Sequence, residues 1–178
     1  MTALWLKRTY WIALSLVLLA GSILALQALA PLYLGHSAPQ ERSGPAAPDI
    51  TAVDENGHTW SSADLRDRDA LVLFWVSWTD DSLATLNALD EYARLFAPHD
   101  LAVVPIGFQE TTSTLREFAA RYPELRLLAD PAGTAGAAYN VGVVPIAMLV
   151  DRTGHIVAQR IWPLTLGDFR SFGALISD

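Results

Sequence analysis

The side chains best placed for chemistry stand together in one short segment, Asp80-Asp81-Ser82, directly after an apolar run. Two carboxylates and a hydroxyl can ligate a metal ion or act as a general base. Adjacent side chains point in different directions, however, and a metal site needs several converging donors. At the start of a helix the same residues accept hydrogen bonds from unpaired N–H groups and suit the positive end of the helix dipole. We therefore expect helix capping, with a remodelled metal or general-base site as the alternative.

The rest of the sequence offers few further donors. No two of the four histidines have metal-ligand spacing, and they are His36, His58, His99 and His155. The 178 residues contain no cysteine, which excludes disulfides, thiolate zinc sites, iron–sulfur ligation, cysteine nucleophiles and dithiol redox chemistry. No serine stands in a nucleophile-elbow motif. We expect no metal, no cofactor and no catalytic residue.

Charge divides the chain into two unequal parts. Lys7 and Arg8 are the only charged residues before Glu41, whereas 10 arginines and 19 acidic residues follow from Glu41 onward, and the net charge is -7. Proteins that bind the phosphate backbone depend on clustered Lys and Arg. We therefore expect no nucleic-acid partner.

Residues 11–34 have the length and composition of a transmembrane anchor. The stretch from Trp11 to Ala30 contains 20 residues and no formal charge, and at about 1.5 Å per residue it crosses a hydrocarbon core of about 30 Å. The alternative is a cleaved signal peptide, for which Ala28-Leu29-Ala30 supplies the small residues. Because Pro31 would follow the cut and is expected to block processing, we predict an uncleaved, single-pass anchor.

The two basic residues before the anchor predict its orientation. The positive-inside rule places residues 1–10 in the cytoplasm and the remaining chain outside, in the periplasm of a cell that has an outer membrane. Residues 35–48 are rich in Pro, Ala, Gly and Ser, which is typical of a linker. An extracytoplasmic domain at 49–178 is expected to follow, held at the inner membrane.

Strands alternate with helices along residues 49–178, which predicts an α/β sandwich with an N-terminal β-hairpin. The continuous apolar run at its centre is typical of a strand buried on both faces. The predicted strands are Ile50–Val53, His58–Trp60, Leu71–Val76, Leu101–Phe108, Leu125–Ala129, Ile146–Val150 and His155–Ile161. The predicted helices are Ser82–Phe96, a helix opened by a Thr114–Glu117 capping box and ending near Tyr122, Gly133–Tyr139, and a helix capped by Thr165 and ending near Ile176.

Four local motifs carry a family resemblance. They are Ala47-Pro48-Asp49-Ile50, LVLFWVSW at 71–78, DPAGTAGAAYNV at 130–141 and VVPIAMLVDRTGHIV at 143–157. Together they resemble the membrane-anchored thioredoxin-fold proteins of the TlpA/ResA type and their AhpC/TSA peroxiredoxin relatives. The resemblance implies a thioredoxin-like α/β sandwich preceded by a single transmembrane helix.

In that family a Cys-Pro-Pro-Cys motif or a similar one follows the second tryptophan, where a helix N-terminus lowers the thiol pKa. The aligned segment here is Thr79-Asp80-Asp81-Ser82, with Thr79 and Ser82 in place of the two thiols. A hydroxyl neither forms a disulfide nor ionises appreciably near neutral pH. The resemblance therefore implies a redox-inactive protein that lacks thiol–disulfide oxidoreductase and peroxidase activity.

The resemblance also singles out Pro145. Most X-Pro bonds in folded proteins are trans, but thioredoxin-fold proteins carry a cis proline opposite the active-site loop, where the preceding backbone pairs with an extended peptide. This implies a cis Val144–Pro145 bond and a peptide or partner groove formed by Trp78, Val144 and Pro145. We expect Trp78 to be partly exposed and Trp75 to lie in the core. The alternative is that Pro145 serves only the turn into the next strand.

Two non-enzymatic functions remain open, and an enzyme with a remodelled site is the third alternative. The first is a structural or accessory subunit of an extracytoplasmic membrane assembly, with respiratory and photosynthetic electron-transfer complexes as candidate hosts. The second is a non-redox peptide-binding adaptor or chaperone in cytochrome or cofactor assembly, which would use the Pro145 groove. The partners would be subunits of a membrane complex or an extracytoplasmic client protein, with the lipid bilayer around residues 11–34.

Overall fold

The structure, a computed structural model, describes residues 44–96, 101–161 and 163–176. Their strands are β1 (Thr51–Val53), β2 (Thr59–Ser61), β3 (Ala70–Trp75), β4 (Ala102–Phe108), β5 (Leu128–Asp130), β6 (Ile146–Val150) and β7 (Ile156–Ile161). Their helices are a 3₁₀ turn (Ser62–Leu65), α1 (Asp80–Leu95), α2 (Thr112–Ala119), α3 (Thr134–Ala138) and α4 (Leu166–Ile176). This order confirms the predicted α/β architecture with its N-terminal hairpin.

The predicted segments 1–10 and 11–34 lie outside the described residues, as does most of the linker at 35–48. Within the part of the chain that the structure describes, no helix is both long enough and apolar enough to cross a membrane. The anchor therefore stays a prediction from the sequence.

Strand β3 occupies the centre of the sheet, whose order is β2-β1-β5-β4-β3-β6-β7. All six of its residues are buried. It runs parallel to β4 and antiparallel to β6, so that Phe74 lies opposite both Ile106 and Ile146. Residues that follow β3 and residues that precede β6 consequently meet at one end of the sheet. This carboxyl end, where β3 and β4 finish and β6 begins, carries every residue of the predicted site.

Alternate side chains of β3 enter two separate cores, as a strand requires. Leu73 and Trp75 lie in the core that the sheet forms with α1, α2 and α4. Val72 and Phe74 lie in the other core, which contains residues of α3. There the ring of Phe74 packs against Tyr139 with centroids 5.4 Å apart. The predicted burial of Trp75 is confirmed, since its exposed fraction is 0%.

Two aspartates hold the turns between β1 and β2 and between β6 and β7. The Asp54 carboxylate accepts the N–H groups of Asn56 and His58 at 3.0 and 2.9 Å. Asp151 likewise accepts the N–H of His155 at 3.0 Å. Burial raises the pKa of both carboxyls, but these hydrogen bonds outweigh it and bring each pKa below the ordinary 3.8. Both turns therefore keep an ionised carboxylate at neutral pH.

The predicted capping box at Thr114–Glu117 is wrong. Helix α2 begins at Thr112, and its N-cap is Thr111, whose hydroxyl accepts the N–H of Thr114 at 3.3 Å. Thr111 and Thr114 are both suitable N-cap residues, but only Thr114 has a glutamate three residues later, which completes the capping-box signature. The helix instead uses Thr111, three residues after Phe108, the last residue of β4.

The start of β5 and the cap of α4 can also be compared with the sequence prediction. The strand predicted at Leu125–Ala129 occupies Leu128–Asp130, because the N–H of Leu125 instead bonds the Tyr122 carbonyl in a turn, at 3.1 Å. The predicted cap of α4 is confirmed. Thr165 accepts the N–H of Asp168 at 3.4 Å, and the Asp168 carboxylate accepts the N–H of Thr165 at 2.9 Å.

Two glycines of α4 provide a test of the packing between α1 and α4. A Cβ on Gly173 would lie 2.6 Å from the Tyr92 hydroxyl oxygen on α1, whereas a Cβ on Gly167 would meet its nearest atom at an ordinary 3.6 Å. We expect Gly173→Ala to lower the free energy of unfolding by about 1–3 kcal/mol through overpacking. Gly167→Ala should leave it unchanged or raise it slightly, because alanine favours helix. Urea unfolding measures both, and equal effects would contradict the packing described.

Candidate functional site

The segment that links β3 to α1 forms the centre of the candidate site. Thr79 is the N-cap of α1, and its hydroxyl accepts the N–H of Ser82 at 3.3 Å. The Ser82 side chain is fully buried, and its hydroxyl oxygen accepts the N–H of Val76 at 3.2 Å. Both hydroxyls are thus committed to the backbone of the segment itself. One starts the helix, and the other ties the helix back to the end of the strand.

Asp80 and Asp81 lie at the start of α1, as predicted, but Thr79 caps the helix in their place. Helix α1 begins at Asp80 rather than at Ser82, because Thr79 takes the capping position. The predicted capping by the side chains of Asp80, Asp81 and Ser82 is therefore wrong, whereas the predicted position of the two aspartates at the positive end of the helix dipole is confirmed. The two aspartates lie exposed in the first turn, where the positive end of the helix dipole stabilises a negative charge.

Val144 and Pro145 lie beside this segment. The Val144–Pro145 peptide bond is cis, as the family resemblance implied. Pro145 immediately precedes Ile146, which pairs with Phe74 near the end of β3. Pro145 is buried and Val144 is half-buried, while Val143 is 47% exposed. The turn into β6 and the turn out of β3 thus form neighbouring parts of one surface.

Trp78 is the most exposed large apolar side chain among the described residues, at 65%. Its predicted exposure is confirmed. Tryptophan is usually well buried on average, and an exposed one is enriched at contact sites. Leu95, at 50% exposed, is a comparable apolar residue, but it ends α1 at the other end of the sheet. With Val143 close along the turn before Pro145, Trp78 marks an apolar surface at the carboxyl end of the sheet.

Sequence reasoning missed Glu110, which lies beneath the same segment. The side chain is only 4% exposed, and its Oε1 accepts the N–H of Ser77 at 2.6 Å. The contact joins residues 33 positions apart, so no local pattern could reveal it. The only sequence signal was a carboxylate directly after a strand whose neighbours end at the same edge of the sheet.

The remaining candidates for metal ligation are dispersed. His58 and His155 lie in the two hairpin turns, and His36 and His99 lie outside the described residues. Within the described part of the chain, no group of three or more His, Cys, Asp or Glu side chains is placed to hold a metal ion. Asp130 is buried, but its carboxylate is bound to the backbone of α3, where it accepts the N–H of Gly136 at 2.9 Å.

A parallel central pair of strands, a helix that starts directly after β3, and a cis proline at the facing turn define the thioredoxin-like class. Residues 43–159 match the AhpC/TSA family, and the chain belongs to that family.

Similar proteins include thiol–disulfide oxidoreductases. "Thiol-disulfide oxidoreductase ResA" of Geobacillus kaustophilus is 24% identical over 114 residues, which cover 64% of this chain and 66% of that protein. "Thioredoxin-like protein YneN" of Bacillus subtilis is 28% identical over 128 residues, which cover 70% of this chain and 74% of that protein.

Solved structures establish the thioredoxin-like fold. MTB dsbF superposes with a TM-score of 0.65 at 19% identity, covering 75% of this chain and 98% of that one. The exposed lipoprotein thioredoxin Etrx1 from Streptococcus pneumoniae superposes with a TM-score of 0.63 at 21% identity, covering 72% of this chain and 100% of that one.

The buried hydroxyl of Ser82 can be tested by deletion. Ser82→Ala leaves the buried N–H of Val76 without an acceptor, which should lower the free energy of unfolding by about 1–3 kcal/mol. Ser113→Ala is the matched control, because that hydroxyl is exposed and contacts the exposed hydroxyl of Thr111 at 2.6 Å. We expect the control to change stability by less than about 0.5 kcal/mol. Denaturant unfolding distinguishes the two, and a neutral Ser82→Ala would contradict the assigned hydrogen bond.

Proposed function

We propose that this chain is a redox-inactive, membrane-anchored thioredoxin-like protein that works by contact, as an accessory subunit of an extracytoplasmic membrane assembly. One observation carries the proposal. The two side chains at the positions where relatives are expected to hold thiols, Thr79 and Ser82, are hydroxyls bound to their own backbone, while Trp78 beside them is 65% exposed. The site thus offers an apolar contact in place of a nucleophile.

The chemistry of the named relatives supports this proposal by contrast. Thiol–disulfide exchange proceeds by attack of a thiolate on a disulfide sulfur. The 178 residues of this chain include no cysteine, so neither the attacking nor the leaving sulfur can come from it. Peroxide reduction by the AhpC/TSA route fails for the same reason, because it too starts from a thiolate.

The N-terminal sequence supports a location beside the membrane. Residues 11–34 supply an apolar span, the basic pair Lys7 and Arg8 precedes it, and residues 35–48 supply a linker. A single-pass anchor of this kind keeps the domain at the outer face of the inner membrane. Respiratory and photosynthetic electron-transfer complexes lie in that membrane and are the assemblies we propose as hosts.

A second function is favoured by two exposed apolar side chains at the carboxyl end of the sheet. Trp78 follows β3, and Val143 directly precedes the cis Val144–Pro145 bond. An extended peptide could lie along this surface with an apolar side chain against Trp78. The protein would then be a peptide-binding adaptor or chaperone for a client during cytochrome or cofactor assembly.

Co-purification from native membranes in mild detergent tests both functions. Trp78→Ser should weaken capture of an adaptor's client by roughly 30-fold or more, as expected for an anchoring tryptophan. Leu95→Ser is the matched control, since it removes a similarly exposed apolar residue from the other end of the sheet. Replacement of residues 11–34 should abolish capture of a membrane subunit, which is held through its anchor as well as through Trp78, and should leave capture of an adaptor's client unchanged. A wild-type chain that always purifies alone would contradict both functions.

Restoring the thiols tests the assignment of Thr79 and Ser82. The double variant Thr79→Cys/Ser82→Cys should form a disulfide and reduce insulin in the presence of a dithiol, because a helix N-terminus favours the thiolate. The wild-type chain should show no turnover. Ser77→Cys/Ser82→Cys is the control, since it places the first thiol before the helix cap, and it should stay inactive. Turnover by the wild type, or equal activity of the two double variants, would contradict the proposal.

A further inference from the structure

Glu110 is a buried carboxylate that no capping or turn function explains. Its exposed fraction is 4%, and burial of an ionisable side chain carries a desolvation cost. Its Oε1 accepts the N–H of Ser77 at 2.6 Å. This distance is shorter than that of an ordinary N–H···O hydrogen bond, about 2.9 Å. Glu110 thus makes a strong contact to the residue directly before Trp78.

The end of β4 is shaped to deliver this side chain. A Cβ on Gly107 would lie 2.7 Å from the Cβ and 2.9 Å from the Cγ of Glu110, so only glycine leaves room there. Gln109 has φ 58, a left-handed conformation that is unusual for a residue other than glycine. Its N–H bonds the Asp130 carbonyl at 2.9 Å, which fixes the turn. Two local features thus serve to turn Glu110 inward.

The segment around Trp78 is held on both sides of that residue. Before it, Val76 donates its N–H to the Ser82 hydroxyl, and Ser77 donates its N–H to Glu110. After it, Thr79 is the cap of α1. Trp78 therefore projects into solvent from a backbone that is fixed at Val76 and Ser77 before it and at Thr79 after it. An aromatic side chain on a fixed backbone loses less freedom when a partner binds, and this pre-organisation raises affinity.

We propose that Glu110 is a positioning residue that holds the Trp78 segment in its binding geometry. The inference rests on the proposed contact function of Trp78, since it assigns to Glu110 the pre-organisation of that contact. Glu110 acts through Ser77 and touches no partner itself. Hydroxyl groups accept the N–H groups of Val76 and of Ser82 in this segment, and the Glu110 carboxylate accepts that of Ser77.

The matched variants are Glu110→Met and Glu110→Gln. Methionine fills a similar volume and has no carbonyl or carboxylate oxygen, whereas glutamine keeps an acceptor at the same distance along the side chain. Glu117→Met on α2 is the control for the loss of a charge, because Glu117 is exposed. The full chain in nanodiscs is used throughout, so that the domain is examined with its N-terminal residues.

Hydrogen exchange resolved to single amides gives the first measurement. Glu110→Met should speed exchange of the Ser77 amide by roughly 10- to 100-fold, as expected when an N–H group loses its acceptor inside the protein. Glu110→Gln should restore much of the protection, and Glu117→Met should change nothing. The Leu73 amide in β3 should exchange at the wild-type rate in all variants. An unchanged Ser77 rate, or an equal rise at Leu73, would overturn the proposal.

The second measurement follows Trp78 itself. With 5-fluorotryptophan incorporated, the Trp78 fluorine signal is identified by its absence in Trp78→Phe. Glu110→Met should narrow this signal through faster motion, and Glu110→Gln should reverse the change. A signal as broad as that of the wild type in Glu110→Met would overturn the inference. Neither measurement needs a partner, so a failed co-purification contradicts the proposed function without deciding the role of Glu110.

The third measurement links position to binding. Capture of the partner identified with the wild-type chain should fall at least 10-fold in Glu110→Met and recover in Glu110→Gln. The proposal would be overturned if Glu110→Met captured the partner as well as the wild type while its Ser77 amide exchanged faster. That result would show that the geometry of the segment does not serve binding.

Discussion

Strand β3 is buried along its whole length, so every polar group of its backbone must find a partner within the protein. The parallel ladder to β4 and the antiparallel ladder to β6 supply those partners on its two edges. Because side chains alternate across the strand, the same burial creates both cores, one under Trp75 and one under Phe74. The remaining elements cover these two surfaces. The carboxyl end of β3 is where this coverage stops, and the candidate site lies there.

The segment after β3 forms its hydrogen bonds with hydroxyl groups alone. The N-terminus of a helix leaves N–H groups unpaired, and in a redox protein these groups stabilise a thiolate. Here the hydroxyl of Thr79 accepts one of them, and the hydroxyl of Ser82 turns back to the N–H of Val76. Hydroxyls satisfy the local hydrogen-bonding demand but cannot transfer electrons. The geometry and the chemistry of such a site are therefore separable.

Those parts of the structure that depend on local patterns were predictable from the sequence. The apolar run of β3, the hairpin turns at Asp54 and Asp151, and the cap at Thr165 each follow from residues close together in the chain. Where two residues could serve as the N-cap, as with Thr111 and Thr114, the capping-box match at Thr114 selected the wrong one. The cis bond at Pro145 was predicted from the family resemblance, because X-Pro bonds in general favour trans.

Glu110 lay beyond such reasoning because its partner is set by the pairing of β3 with β4 and not by sequence distance. Parallel pairing brings the ends of both strands to one edge, so a carboxylate that follows β4 can reach the backbone that follows β3. In this arrangement the buried Glu110 carboxylate binds the backbone directly before the exposed Trp78. An exposed apolar side chain on a mobile loop would lose much of its freedom on contact, whereas one on a fixed segment presents a surface ready for a partner. The physical cost of burying Glu110 is therefore consistent with a protein that acts by contact.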